Sequence, residues 1–467
     1  MIMVDRRGAM QFGAGAAAAM ALSGAGRARQ TEGAPFVTDD IGALRQVLVH
    51  TLTEDEYPVD RLSGALIPNL NIDRVASARQ HRALIALLNE AGAETVELVE
   101  ALDGAIEEAR SRGSWRAWLS AAHPALSTEP DRVTAATLLG RDPARQFQRR
   151  EDGSYRHLFN DTTSTMWTRD ASFMTPSGLV VCNALSERRL RENMTLRFVM
   201  EHAPQMADIP VAFDAVAEGV ILEGGDAQMV DENTLFLGVG QRSDPRAPAM
   251  LARRLDLDVV AVHVNEADFL ARSDSNMGGG QLSALRVLFL HLDTFFTHVD
   301  REHVLTVPWL LEMEHAGEDP LTRYIEGARA DLAVDSSEAE KALKFLKDFG
   351  KVSVWRAGTG RKEDIGEMKL VDYVKERGYQ VTYVAGQEPD DSAEGFAAFM
   401  RDTLGELRRQ ASNVVATAPG AVIAYDGSPL TRAALERDGV SVATFEARDL
   451  WANHGGPHCL TMPLRRG

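Results

Sequence analysis

The sequence is poor in cysteine, in positive charge and in long apolar segments, and each shortage excludes a class of protein. Two cysteines among 467 residues cannot build a disulfide scaffold or a four-thiolate zinc site, so a functional cysteine must act alone or in one pair. Lysine and arginine number 50 against 68 acidic residues, a formal net charge of -18. Such a surface repels phosphate, so we expect no nucleic-acid partner and no membrane partner. A small cationic substrate suits this charge better.

Residues 1–28 differ in composition from the rest of the chain and predict an export signal. Arg6 and Arg7 precede an apolar run over 12–26, which ends in small residues typical of a cleavage site. This order resembles a bacterial twin-arginine signal, although Ala9 stands where such signals usually carry another apolar residue, so ordinary secretory export stays open. The run is shorter than the roughly 20 residues that span a membrane. We expect a periplasmic or secreted protein, or a cytoplasmic one if the signal does not function.

The composition of the chain is that of a globular protein, with 45% hydrophobic and 25% charged residues. Residues 44–51 alternate like a first strand. From Asp73 onward the apolar residues recur three and four apart, so we assign 73–147 to a helical insert within a catalytic domain that covers 35–467. Residues 312–345, rich in Glu, Asp and Ala, predict a solvated helical excursion without a functional role.

Four later segments share one plan: an acidic or amide residue, a short apolar run, a tight turn and a second apolar run. They begin at Asp170, Asp226, Asp293 and Asn413, and their turns are typical of β-hairpins. Helical patterns lie between them. Strand pairs that alternate with helices predict an α/β fold of repeated units, each presenting a polar side chain at the same corner. If these corners converge, they form a site lined with carboxylates.

The candidate catalytic and binding residues all lie beside turns or glycine pairs: Asp170, Glu223, Asp226, His291, Asp293 and Cys459. Carboxylates around one thiol and one imidazole suit a guanidinium, because they accept its fork of N–H donors and compensate its charge. The central carbon of the guanidinium then stays open to a thiolate. An imidazole can protonate the departing amine and later deprotonate water.

Five strings in this chain resemble the arginine deiminase family, which belongs to the guanidino-modifying superfamily. They are MWTRD (166–170), LEGGD (222–226), HLDT (291–294), APGAVIAYD (418–426) and GGPHCLTMP (455–463). The strings occur in the family's order, and the resemblance covers essentially the whole chain after the signal. It implies a pentein fold, in which five ββαβ units surround a pseudo-fivefold axis, with an inserted helical subdomain and the active site at the centre.

The same resemblance implies a role for each matching residue. Cys459 is expected to be the nucleophile and His291 the general acid and base. Glu223 is expected to support His291 and the guanidinium, while Asp170 and Asp293 clamp the guanidinium nitrogens.

Further residues are expected around the substrate. Asp226 joins the guanidinium-binding set, and Arg189 and Arg242 match the two arginines that hold the substrate carboxylate in this family. The chain departs from the family at Ser164, where many members have asparagine, and at His454, where arginine is common. The resemblance therefore supports the chemistry more firmly than the identity of the substrate.

The implied reaction is hydrolysis of L-arginine to citrulline and ammonia through a covalent S-alkylthiouronium on Cys459, without a cofactor or metal. A zinc site that combines His454, His458, Cys459 and His291 is disfavoured, because HxxxHC is no standard zinc spacing. Three alternatives stay open: an amidinotransferase, a deiminase of another guanidino compound, and a non-catalytic arginine binder. The sequence also leaves open whether the chain forms a homo-oligomer.

Overall fold

A computed structural model describes residues 36–53, 73–141, 147–157, 163–186, 189–264, 288–452 and 455–467. The predicted export signal at 1–28 lies outside these residues. Within them, no helix combines the length and the apolarity needed to cross a membrane.

The strands are short, and most belong to three-stranded sheets. In chain order they are β1 (Leu44–Val49), β2 (Glu94–Glu97), β3 (Phe147–Arg149), β4 (Tyr155–His157), β5 (Ser172–Thr175), β6 (Gly178–Val181), β7 (Val211–Asp214), β8 (Ala227–Asp231), β9 (Thr234–Val239), β10 (Asp258–His263), β11 (Phe296–Asp300), β12 (His303–Thr306), β13 (Val352–Arg356), β14 (Arg361–Glu363), β15 (Gln380–Tyr383), β16 (Val415–Ala418), β17 (Ala421–Tyr425), β18 (Ser441–Phe445) and β19 (Met462–Arg466).

The α-helices lie between the strands. They are α1 (Arg74–Glu90), α2 (Leu98–Ser111), α3 (Trp115–Ala122), α4 (Ala135–Leu138), α5 (Thr168–Ala171), α6 (Leu190–His202), α7 (Ala247–Leu255), α8 (Pro320–Ala330), α9 (Ser336–Asp348), α10 (Leu370–Lys375), α11 (Ala393–Ala398), α12 (Leu404–Leu407), α13 (Pro429–Arg437) and α14 (Arg448–Trp451).

One unit occurs five times among the described residues: an antiparallel hairpin followed by a strand that runs parallel to the hairpin's second strand. The units are β5–β6–β7, β8–β9–β10, β11–β12–β15, β16–β17–β18 and β19–β1–β2. Helices connect the second strand of each unit to its third. The α/β class and the four predicted hairpins are thereby confirmed.

Turn chemistry fixes the hairpins. Gly178 follows the β5–β6 turn with a φ of +126°, and a Cβ at this position would lie 2.3 Å from the carbonyl oxygen of Pro210. Gly420, with a φ of +70°, turns β16 into β17. Only glycine adopts these backbone angles at low cost, so both turns depend on it.

The segment 73–147, predicted as a helical insert, also contains a strand. β2 pairs in parallel with β1, so α1 and β2 belong to the fifth unit, and the helices added to the repeat run from Leu98 to Leu138. The added helices pack against α6, where the rings of Trp118 and Phe198 lie 4.1 Å apart. The strand has only four residues, too few for an alternation that separates it from the helical pattern on either side.

The acidic segment 312–345 forms helices, as predicted, but it is not wholly solvated. Leu321 and Ile325 of α8 and Phe345 of α9 are buried in the core around β11 and β12. Leu332, between the two helices, is 87% exposed. The two helices therefore cover one face of the third unit, β11–β12–β15.

The point where each hairpin begins is the feature of the fold that positions the site. A polar residue or the thiol stands one to three residues before the first strand of every unit: Asp170, Asp226, Asp293, Asn413 and Cys459. The sequence predicted four of these corners. The fifth, at Cys459, arises because β19 pairs with β1, the first strand of the described residues.

Candidate active site

The imidazole of His291 lies between two buried carboxylates. Its Nε2 is 2.9 Å from Oε2 of Glu223, and its Nδ1 is 3.8 Å from Oδ1 of Asp170. Burial alone would lower the pKa of His291, but the charge of Asp170, the hydrogen bond to Glu223 and the charge of Asp226 raise it to about 9. The ring therefore carries a proton at neutral pH, as a general acid must.

Glu223 is fully buried and holds three groups at once. Besides its contact with His291, its Oε1 accepts hydrogen bonds from the backbone N–H of Leu185 at 3.0 Å and from Nη1 of Arg242 at 3.4 Å. Burial opposes its ionisation, yet Arg242, His291 and Arg189 together bring the pKa of Glu223 below its ordinary value. Glu223 is thus an anion that orients His291 and keeps it protonated.

Asp226 contacts the residue that follows His291. Its Oδ2 accepts a hydrogen bond from the Ser243 hydroxyl at 2.7 Å, and its Oδ1 accepts one from the backbone N–H of Leu292 at 3.0 Å. Burial raises the pKa of Asp226 to about 7. Since both of its oxygens are engaged and Leu292 follows His291, the observed contacts of Asp226 fix the segment that carries the imidazole.

The glycine pair before Asp226 gives these groups room. A Cβ on Gly225 would lie 2.6 Å from Nδ1 of His291 and 3.0 Å from Oδ1 of Asp170. A side chain at this position would therefore displace the imidazole or the carboxylate.

Cys459 lies against the other predicted clamp residue. Its Sγ donates to Oδ2 of Asp293 at 3.3 Å, and the same oxygen is 2.9 Å from Nδ1 of His458. Burial raises the pKa of the Cys459 thiol well above its ordinary value, and the charges of Asp293 and Asp170 raise it further. These surroundings favour the neutral thiol in the free protein, and a cation beside the sulfur would favour the thiolate.

Two carboxylate oxygens in this region lack a hydrogen-bond partner among the described residues. They are Oδ1 of Asp170 and Oδ1 of Asp293, and both are buried. A buried acceptor without a donor is costly, so these two atoms are available to a ligand with N–H donors. They belong to the two residues predicted to clamp a guanidinium.

The amide side chain of Asn413 also contacts Cys459, through both its backbone and its thiol. Oδ1 of Asn413 accepts a hydrogen bond from the Cys459 backbone N–H at 3.0 Å, while its Nδ2 donates to Cys459 Sγ at 3.1 Å and to the Asp293 carbonyl at 2.9 Å. Sequence reasoning identified Asn413 as the start of a hairpin and gave it no role. The position was visible in the repeat, but the contact with the thiol was not.

The two arginines predicted to hold a substrate carboxylate bind carboxylates of the protein itself. Nη1 of Arg189 donates to Oδ2 of Asp170 at 2.8 Å, and its Nε and Nη2 donate to Glu192 at 3.1 and 3.0 Å. Arg242 donates to Glu223. The guanidinium of Arg189 thus binds one oxygen of a predicted clamp residue, Oδ2 of Asp170, and leaves its Oδ1 without a hydrogen-bond partner among the described residues.

Arg169, which precedes Asp170, anchors the loop that carries Cys459. Its backbone N–H donates to the Cys459 carbonyl at 3.3 Å and its Nε to the Thr461 carbonyl at 3.2 Å. Its guanidinium lies 3.2 Å from Oδ1 of the buried Asp40. The loop that carries the thiol is therefore anchored on both sides of Leu460.

Among the described residues, one group has ligand atoms close enough to share a metal ion: Asp170, Glu223 and His291, within 4.8 Å of one another. Arg189 and protonated His291 already supply positive charge to this cluster. The negative charges of this cluster are therefore compensated by cationic side chains of the protein. Of the zinc set considered above, His454 lies outside the described residues, as does the side chain of Ser164.

The sequence matches the family model described as arginine deiminase over residues 133–348 and 401–466, more than half of the chain. It is 24% identical over 457 residues to an arginine deiminase of Metamycoplasma arthritidis, an alignment that covers 92% of this chain and 96% of that protein. It is 28% identical over 323 residues to an arginine deiminase of Listeria monocytogenes, covering 68% of this chain and 64% of that protein.

Similar solved structures include the product-bound N-terminal domain of ArgZ, an arginine dihydrolase from cyanobacteria. The TM-score is 0.45 at 14% identity, with 91% of this chain and 98% of that chain covered. DDAH from Pseudomonas aeruginosa, complexed with citrulline, gives a TM-score of 0.43 at 11% identity, covering 90% of this chain and 99% of that chain.

Proposed function

The chain belongs to the arginine deiminase family, and from this premise we propose that it hydrolyses L-arginine to citrulline and ammonia. The observation that carries the proposal is the pair of unpartnered carboxylate oxygens on Asp170 and Asp293, set beside a thiol and a protonated imidazole. Two acceptors on a planar cation hold it by its nitrogens and leave its central carbon open to the sulfur.

In the first half of the proposed reaction the guanidinium binds between Asp170 and Asp293, and its charge favours loss of the Cys459 proton to solvent. The thiolate adds to the central carbon and forms a carbon–sulfur bond. His291 then gives its proton to one terminal nitrogen, and the carbon–nitrogen bond breaks to release ammonia. A positively charged S-alkylthiouronium remains on Cys459, and His291 is neutral.

In the second half, His291 takes a proton from water as the water oxygen attacks the thiouronium carbon. The tetrahedral adduct collapses, its carbon–sulfur bond breaks, and its hydroxyl proton returns to the thiolate. Citrulline leaves, and both Cys459 and protonated His291 are restored. One imidazole thus serves as acid and then as base, as its contact with Glu223 permits.

We also infer that Arg189 exchanges partners when substrate binds. In the free protein it bonds Asp170 and Glu192. An arriving guanidinium competes for Asp170 and brings a carboxylate, which gives Arg189 a new anionic partner. Arg242, bonded to Glu223 at 3.4 Å, is positioned to share that carboxylate.

The arrangement of the five units around a common axis is part of the same proposal. The five corners that carry Asp170, Asp226, Asp293, Asn413 and Cys459 begin equivalent hairpins. A pseudo-fivefold pentein arrangement brings such corners to one centre. The hydrogen bonds that join the Cys459 thiol to Asn413 and to Asp293 support it.

The test is to measure citrulline and ammonia released from L-arginine by the full chain, beside Cys459→Ser and Arg242→Ala. The wild type is expected to release both products in equal amounts and Cys459→Ser neither. Arg242→Ala is expected to raise KM for arginine roughly tenfold to hundredfold, the value of one lost hydrogen bond to a charged group.

Other outcomes select the alternatives. Faster turnover of a guanidino compound without a carboxylate, unchanged by Arg242→Ala, indicates a different substrate. Transfer of the amidino group to an added amine indicates an amidinotransferase. Arginine binding without turnover, equal in wild type and Cys459→Ser, indicates a binder.

A further inference from the structure

We propose that Asn413 is a further catalytic residue, which donates a hydrogen bond to Cys459 Sγ and thereby stabilises the attacking thiolate. No proton is transferred from the amide in this role. The catalytic part of the inference rests on the proposed function, whereas the effect of the amide on the thiol does not.

The contacts of the sulfur single out this amide. Two polar side-chain atoms of the described residues lie within hydrogen-bond distance of Cys459 Sγ: Oδ2 of Asp293 at 3.3 Å and Nδ2 of Asn413 at 3.1 Å. The carboxylate accepts the thiol proton and disfavours the thiolate. The amide N–H is the donor of the pair, and a donor favours the charged form of sulfur.

The orientation of the amide is determined by its other partners. Oδ1 of Asn413 faces the backbone N–H of Cys459, and its Nδ2 faces the carbonyl oxygen of Asp293. A flipped amide would place oxygen against oxygen and N–H against N–H. The donor must therefore point toward the sulfur.

The surroundings hold the amide in place before substrate arrives. A Cβ on Gly456 would lie 2.5 Å from the Asn413 carbonyl oxygen and 2.7 Å from its Oδ1, so glycine is needed for this approach. A donor fixed in advance stabilises charge without reorganisation during the reaction.

The titratable groups around the thiol make such a donor necessary. Asp293 and Asp170 both oppose its ionisation. Tyr425 also faces the sulfur, and its hydroxyl donates to the Gly455 carbonyl at 2.9 Å. Nδ1 of His458 lies 2.9 Å from Oδ2 of Asp293, and burial lowers the pKa of this imidazole. After the product leaves, two donors favour the departing thiolate: the Asn413 amide, 3.1 Å from the sulfur, and the backbone N–H of Gly456.

The experiment measures the rate at which iodoacetamide alkylates Cys459 at fixed pH, followed by mass spectrometry of the Cys459 peptide. Below the pKa of the thiol, this rate is proportional to the thiolate fraction. Asn413→Asp keeps the acceptor for the Cys459 N–H but removes the donor, and Asn413→Leu removes both without adding charge. Losing a hydrogen bond to a charged group lowers the rate about tenfold to hundredfold.

Ser412→Ala is the matched control, because it removes a buried hydrogen bond from the same loop without touching the sulfur. It is expected to leave the alkylation rate within about twofold of wild type. Alkylation needs no turnover, so the result stands even if arginine is not the substrate. If wild type does turn over arginine, both Asn413 variants are expected to lower kcat in parallel with alkylation.

Folded Asn413→Asp and Asn413→Leu that react at the wild-type rate would overturn the proposal, as would an equal loss in Ser412→Ala. If neither variant folds, an NMR measurement on the wild-type protein tests the proposal. The side-chain amide resonance of Asn413 must then shift in NMR spectra when Cys459 is alkylated or replaced by alanine, and an unchanged resonance contradicts the contact.

Discussion

His291 acts through the carboxylates on either side of it. Alone, a buried imidazole would be neutral, because burial disfavours its charged form. Asp170, Glu223 and Asp226 reverse this and bring the pKa of His291 to about 9. The proton needed by the leaving amine is therefore present over the neutral range and is lost as the pH rises through about 9.

Glu223→Gln tests this coupling. The amide keeps the shape of the side chain but removes the charge that raises the pKa of His291. We expect the alkaline limb of kcat/KM, near pH 9 in the wild type, to move to lower pH, and kcat to fall roughly 10²- to 10⁴-fold. The measurement is the pH profile of citrulline release, and an alkaline limb that stays in place contradicts the assignment.

At the residue scale, the sequence was informative about residues whose chemistry follows directly from their type. A thiol, an imidazole and several carboxylates beside turns predicted a guanidinium site, and in the structure His291 lies beside Asp170 while the Cys459 thiol contacts Asp293. The role of Asn413 could not be predicted, because an amide gains importance only from what lies beside it. Its partner Cys459 is 46 residues away in the chain.

At the scale of elements, hairpins were predictable because their turns are local. The pairing of β19 with β1 was not, because it joins the two ends of the described chain. Pairing over such a distance leaves no trace in turn residues or in periodicity. For the same reason the sequence showed four corners of the repeat and left the fifth, which carries Cys459, outside the pattern.

Buried histidines join elements and make them sensitive to acid. Nδ1 of His81 on α1 is 2.8 Å from the Thr51 hydroxyl after β1, and Nδ1 of His298 on β11 is 3.1 Å from Oε1 of Gln228 on β8. Burial lowers the pKa of His81 to about 3 and that of His298 to about 4. Both are neutral in the folded protein at any pH above those values.

The sign of the resulting pH dependence follows from proton binding. Below about pH 6.5 the unfolded chain takes up protons that these folded histidines do not, so the free energy of unfolding falls as the pH falls toward 4. Each histidine contributes up to about 1.4 kcal/mol per pH unit in this window. Denaturant unfolding between pH 7 and 4 is expected to show a flatter dependence for His81→Gln and His298→Gln. The partly exposed His315→Gln serves as the control, and equal slopes in all variants contradict the prediction.

At the scale of the whole molecule, Asp40 connects parts of the chain that are distant in sequence. Its Oδ1 accepts from the Arg169 guanidinium at 3.2 Å, and its Oδ2 accepts from the Met229 backbone N–H at 2.9 Å. Burial opposes the charge of Asp40, but Arg169 and Arg466 lower its pKa. One carboxylate thus joins the N-terminal segment to the first and second units.

Asp40→Ala is expected to destabilise the protein by about 3–5 kcal/mol, because it leaves the buried Arg169 without its carboxylate. The measurement is the free energy of unfolding in denaturant. Asp131→Ala removes the exposed pair with Arg116, whose side chains are 68% and 75% exposed, and should change stability by about 1 kcal/mol or less. Equal losses in the two variants would contradict the structural role of Asp40.

The central claim is that Cys459 forms a covalent bond to the guanidinium carbon while Asp170 and Asp293 hold the nitrogens. The most direct test is to mix the protein with L-arginine, quench in acid during turnover, and determine the mass of the Cys459 peptide. We predict an adduct equal to arginine less ammonia on that peptide, and none on Cys182 or in Cys459→Ser. Citrulline formation without this adduct, at a rate that Cys459→Ser retains, would contradict the account.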